Sequence, residues 1–136
     1  MRVALLVAMS SMMALAGCAS LDPPVALDEG SLALLTGTWA GTLERRARLR
    51  TLELDTPVTL EVRDGKPPRA KFTLGTGTTW ETSIEVRGGT ILMGFDKAVR
   101  EFTLKRDLGG ALRIETSYTN QWEGWPQRNR IVLEKK

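Results

Sequence analysis

The residues that could carry chemistry are few, and their types narrow the choice. The 136-residue chain contains no histidine and one cysteine, Cys18. Without imidazole there is no histidine general base and no histidine metal ligand. A lone thiol cannot close a disulfide within one molecule. The carboxylates Glu61, Glu81, Glu85, Glu101 and Glu115 fall on the polar face of alternating segments or in turns, where solvated groups are expected. Thr76, Thr78, Thr79 and Ser83 have no base to activate them, and Gly75 and Gly77 read as a hairpin turn rather than a phosphate cradle. No catalytic residue, metal or cofactor is therefore expected, and the chain reads as a non-enzyme. Two clusters suit recognition instead. Arg45, Arg46, Arg48 and Arg50 place four guanidinium groups within six residues. They could grip anionic groups such as lipid phosphates, or serve as a solvated edge balanced by Glu44, Glu53 and Asp55. Gln121-Trp122-Glu123-Gly124-Trp125-Pro126 holds two indoles in one loop, which could be a binding tip or a lid folded onto the domain.

The elements that position these groups must lie after residue 17. One positive charge, Arg2, precedes an apolar run to Ala16 broken only by Ser10 and Ser11. That run has the length of a secretion signal and is shorter than the roughly 20 residues needed to span a bilayer. It ends in Leu15-Ala16-Gly17-Cys18, which resembles the lipobox of bacterial lipoproteins. The resemblance implies a signal peptide over 1–17, cleavage before Cys18, and diacylglyceryl and acyl chains on the new terminus as the membrane anchor. Ala19, in place of the aspartate that favours inner-membrane retention in that family, implies the outer membrane, with the domain facing the periplasm. Loss of Arg2 from the 19 basic residues leaves 18 against 16 acidic ones. So small an imbalance neither demands nor excludes an anionic partner, and export argues against nucleic acid.

Residues 18–30 read as a lipidated tether containing Pro23-Pro24. Residues 31–35 fit one helical turn with Ser31 as N-cap. From Thr36 the apolar period is two. Trp39, Gly41 and Leu43 share a face; Val58, Leu60 and Val62 alternate with polar partners up to the turn signal Asp64-Gly65. The same rhythm recurs at 70–74, at 80–87 up to Gly88-Gly89, at Ile91, Met93 and Phe95, at Phe102 and Leu104, at 112–118 and at 128–134. The stretch 46–56 obeys no single period, and Pro57 suggests an edge or bulge. About eight strands joined by tight turns predict an all-β antiparallel domain over 31–136. Closure as an up-and-down barrel removes both sheet edges and fits the short hairpins; a two-layer sandwich would alternate similarly.

Gly37-Thr38-Trp39, opening the first strand after a helical turn, resembles the Gly-x-Trp signature of lipocalins and related calycin barrels. That resemblance implies a Trp39 plug at one barrel end, packed on a basic residue of the last strand, here Arg128 or Arg130. The expected interior comprises Trp39, Leu60, Phe72, Trp80, Ile84, Met93, Phe95, Phe102, Ile114 and Tyr118. It is either a filled core or a lining with room for one small ligand. Two functions of different class are compatible with these features. One is binding of an apolar small molecule or lipid, for instance a palmitate-like chain, at Trp80, Phe95, Tyr118, Trp122 and Trp125. The other is protein interaction in the envelope, as an assembly factor or hydrolase inhibitor anchored by the tryptophan loop.

Overall fold

A computed structural model describes residues 23–47, 50–75 and 77–136, without the side chains at 29, 50–54 and 122. Cys18, Arg48 and the expected signal segment lie outside these residues.

Among the described residues the two-residue rhythm becomes nine strands: β1 (Gly37–Ala47), β2 (Arg50–Arg63), β3 (Arg69–Leu74), β4 (Thr79–Ser83), β5 (Glu85–Arg87), β6 (Thr90–Phe95), β7 (Ala98–Arg106), β8 (Leu112–Trp122) and β9 (Trp125–Lys135). They lie antiparallel in the order β4-β3-β2-β1-β9-β8-β7-β6-β5. First and last strands pair, with Trp39 opposite Lys135 and Ala47 opposite Gln127. The meander thereby curls into a nearly closed barrel. The remaining seam, between β4 and β6, is bridged by side chains. Trp80 Nε1 donates to the Gly94 carbonyl at 3.0 Å, and the Gly94 N–H donates to Thr82 Oγ1 at 2.9 Å.

The segment expected as one strand over 80–87 is two. β4 pairs with β3, and β5 pairs with β6. At Ile84 the chain changes partner, so that residue leaves the ladder; its N–H donates to the Pro68 carbonyl at 3.0 Å while its side chain stays buried. Closure at β1/β9 depends on Gly41. A Cβ there would overlap the Val132 carbonyl oxygen of the facing strand, so glycine permits the close backbone approach.

The barrel centre is filled. Phe72 stacks on Trp80 with ring centres 5.3 Å apart and on Phe102 at 6.0 Å, and meets Phe95 edge-on at 5.1 Å. These are preferred aromatic geometries, each adding about 0.5–1.5 kcal/mol to the area they bury. Leu60, Met93, Ile114, Ile131 and Leu133 complete the packing, each almost wholly excluded from solvent.

One pole is sealed by the chain before β1. A 3-10 helix spans Glu29–Leu35. Its N-cap is Asp28, not the expected Ser31. The Asp28 carboxylate accepts from Ser31 N at 2.9 Å, and Ser31 Oγ accepts from Asp28 N at 2.8 Å, a reciprocal capping box. Bonds donated by Ser31 hold the Asp28 carboxyl below its usual range. Docking begins before this helix, inside the stretch expected as tether. Pro24 bridges to Lys105, Val25 N donates to the Leu104 carbonyl at 2.8 Å, and Leu27 is buried. Trp39 lies at this pole with no solvent exposure, its Nε1 donating to the Leu35 carbonyl at 2.8 Å. The basic residue against it is Lys135. Its Nζ lies 5.6 Å from the Trp39 ring centre and donates to the Leu34 carbonyl at 2.8 Å. The expectation of Arg130 or Arg128 is corrected: the β1/β9 register sets Arg130 opposite Glu44 and Arg128 opposite Arg46, nearer the other pole.

Candidate functional site

The opposite pole has an uneven rim. β3 stops at Leu74, and β6 turns into β7 at Asp96 and Lys97. β1 and β2, and likewise β8 and β9, continue beyond that level as paired strands. Pro57 marks the change. In an antiparallel ladder a residue's N–H and C=O point to the same neighbour. The Pro57 carbonyl accepts from Gly75 N at 2.8 Å. Its missing N–H therefore faces the side where β3 has ended, and no ladder bond is lost. Residues 46–47 and 50–56 of the irregular stretch form this raised ribbon, with a register shift between Arg45 and Ala47.

Inside the low rim opens a cleft of about 680 Å³, within the ordinary size range of small-molecule sites. Leu74, Trp80, Phe95, Ala98 and Val99 supply its apolar walls, and Arg45, Glu81, Thr82, Asp96 and Lys97 are among its polar lining. Its floor is the aromatic cluster, with Trp80 and Phe95 edge to face at 4.9 Å. Val99 is 70% exposed.

A polar network supports one side of the cleft. Asp96 and Lys97 both adopt positive φ, at 51° and 63°. This is the geometry of the two-residue hairpin turn, obtained here without glycine. The Asp96 carboxylate compensates by accepting from Asn120 Nδ2 at 2.9 Å and Tyr118 Oη at 3.3 Å. Asn129, only 2% exposed, donates to Asn120 Oδ1 at 2.9 Å. Arg100 lies over the Tyr118 ring at 3.9 Å and donates to the Phe95 and Asp96 carbonyls at 3.1 and 3.2 Å. Burial, then the Asp96 charge, push the Tyr118 phenol above its usual range; Arg100 and Arg45 oppose that rise.

The four arginines do not act as one cluster. Arg45 shares the inward face of β1 with Trp39 and Leu43 and lines the cleft. Arg46, on the other face, pairs with Asp55 at 3.2 Å. The side chain of Arg50 and all of Arg48 lie outside the described residues. The tryptophan loop is instead a tight hairpin: β8 and β9 run through Trp122 and Trp125, joined by Glu123 and Gly124 at φ 50° and 81°. Trp125 is 55% exposed at its tip; the Trp122 side chain lies outside the description. Trp80 and Phe95 thus meet in the cleft and Tyr118 lies behind it, touching Phe95 edge-on at 6.3 Å, whereas Trp125 is not among the cleft-lining residues.

Comparison with protein-family models, curated proteins and solved structures gives no match. The site is therefore read from its own geometry. Sequence reasoning missed Leu74, Val99, Asp96, Asn120 and Asn129. A signal for the last two was present: amide side chains at 120 and 129 continue the inward-facing rows of β8 and β9 at the point where the apolar residues stop. Among the described residues, no group of three or more acidic or cysteine side chains is gathered to hold a metal ion.

Proposed function

We propose that this chain is an exported, lipid-anchored protein whose lipocalin-like barrel binds an apolar or amphipathic small molecule at its open mouth, without catalysis. The cleft carries this reading: about 680 Å³ bounded by Leu74, Trp80, Phe95, Ala98 and Val99 above a packed floor. An apolar concavity that water fills poorly, with a few polar groups at its edge, is the usual form of such sites. Leu15-Ala16-Gly17-Cys18 supports the anchor, and Ala19 the outer membrane with the domain in the periplasm. The bound molecule lies near the rim, because the aromatic cluster occupies the centre.

The test uses the full chain held in lipid nanodiscs and a brominated decanol as probe. Binding within the cleft brings bromine to Trp80 and quenches its fluorescence. Val99→Glu, a change at an exposed rim position, should weaken that quenching at least severalfold without altering the circular dichroism spectrum. Unchanged tryptophan emission in the wild-type protein at saturating probe would sink the reading.

Exposed Trp125 favours a second reading, docking of an envelope protein at the β8/β9 tip. Crosslinking in intact cells separates the two: one protein adduct lost in Trp125→Ala supports docking, and no adduct removes it.

A further inference from the structure

Like Asn129, Arg45 carries one of the unsettled buried polar atoms among the described residues. Its Nε is buried with no hydrogen-bond partner, although the side chain lines the cleft. Its guanidinium forms no ion pair among the described residues. The nearby carboxylates are otherwise engaged. Asp96 accepts from Asn120 and Tyr118, Glu81 lies 3.5 Å from Arg69, and Asp55 pairs with Arg46. Glu44, next in the chain, alternates to the outer face, where it lines a groove with Arg46 and Arg130. A buried donor left unsatisfied is destabilising, and more so when charged. A positive group held in a largely apolar wall is therefore poised for an acceptor that arrives from outside.

We infer that Arg45 reads an anionic head group, so that the ligand is an amphipathic acid: a carboxylate or phosphate monoester at Arg45, with an alkyl or aryl body against Leu74, Trp80, Phe95 and Val99. Guanidinium suits either oxyanion, because its planar fork offers paired donors. Lys97, also at the cleft wall, adds a second positive charge. This assignment rests on the binding function proposed for the same cleft.

Isothermal titration of the full chain in nanodiscs with decanoate, decyl phosphate and decanol tests it. At least one acid should bind about tenfold tighter than the alcohol, the advantage of an ion-paired hydrogen bond over one to a neutral hydroxyl. Arg45→Gln should erase that advantage by weakening acid binding far more than decanol binding, and Arg45→Lys should restore part of it. The relative strength of the two acids distinguishes a fatty-acid-like from a phospholipid-like source. Thermal unfolding of each variant checks that the barrel persists; if Arg45→Gln does not fold, the acid-to-alcohol ratio in wild type and its decline with added salt decide alone. Equal binding of acid and alcohol, or an advantage that survives Arg45→Gln, overturns the role of Arg45 and leaves the apolar cleft standing. Failure of all three probes to bind overturns the cleft reading as well.

Discussion

Replacing Asp96 tests whether the network behind the cleft holds its shape. Asp96→Ala removes the acceptor of the 2.9 Å bond from Asn120 and the 3.3 Å bond from Tyr118. Hydrogen bonds to a charged group contribute about 1.5–3 kcal/mol; the shorter bond merits the upper part of that range and the longer one less than the lower. The turn adds to the loss. Asp96 sits at φ 51°, where alanine is disfavoured by about 1–2 kcal/mol and Asp and Asn are better tolerated. The expected destabilisation is about 4 kcal/mol for Asp96→Ala and about 1 kcal/mol for Asp96→Asn, which keeps an acceptor and the turn preference. At about 4 °C per kcal/mol for a domain of this size, alanine should lower Tm by about 16 °C and asparagine by about 4 °C. Urea unfolding followed by far-ultraviolet circular dichroism gives the two values directly. Alanine and asparagine variants equal within 0.5 kcal/mol, on the order of surface substitutions, would refute the view that this carboxylate organises the mouth.

Two further outcomes are expected. Gly41→Ala forces a Cβ into the Val132 carbonyl, so β1 and β9 must separate; the loss should exceed the roughly 1–3 kcal/mol of ordinary overpacking, read as a lowered urea midpoint and weakened amide protection along Gly41–Leu43 and Ile131–Leu133. Tyr118 is the chain's one tyrosine, so absorbance at 295 nm reports it alone. Its folded phenol ionises above the ordinary value of 10.0, so this contribution to stability is complete below pH 10 and declines as pH rises beyond it; the tyrosinate signal should appear together with unfolding, and a reversible titration near pH 10 in the folded protein would contradict the burial.

Much of the barrel was legible because alternation is a local signal. Trp39, Leu60 and Phe72 announce an inward row wherever a strand has one wet face, and the Gly88-Gly89 turn announces a hairpin. Register is not local. Nothing in the order of residues 128–136 tells which cation meets Trp39; that is decided by the pairing of Gly41 with Leu133, two positions far apart in the chain. The same limit hid Arg45. Four arginines within six residues look like a patch, yet a strand sends neighbours to opposite faces, and only the extension of β1 past the level where β3 stops sets one of them at a cleft. The break at Ile84 was invisible for a related reason, since its alternation continues unbroken while its hydrogen-bonding partner changes from β3 to β6.

The described chain begins at Pro23 beside β7's last residues, on the pole sealed by Trp39, and the cleft opens at the other. Four residues separate Cys18 from Pro23, and the five Cα–Cα steps between them span at most about 18 Å. An anchored protein of this shape would stand on its stopper like an upright cup, brim toward the aqueous space. Its cargo would then be exchanged with whatever faces the membrane from across the gap, rather than drawn from the leaflet underfoot.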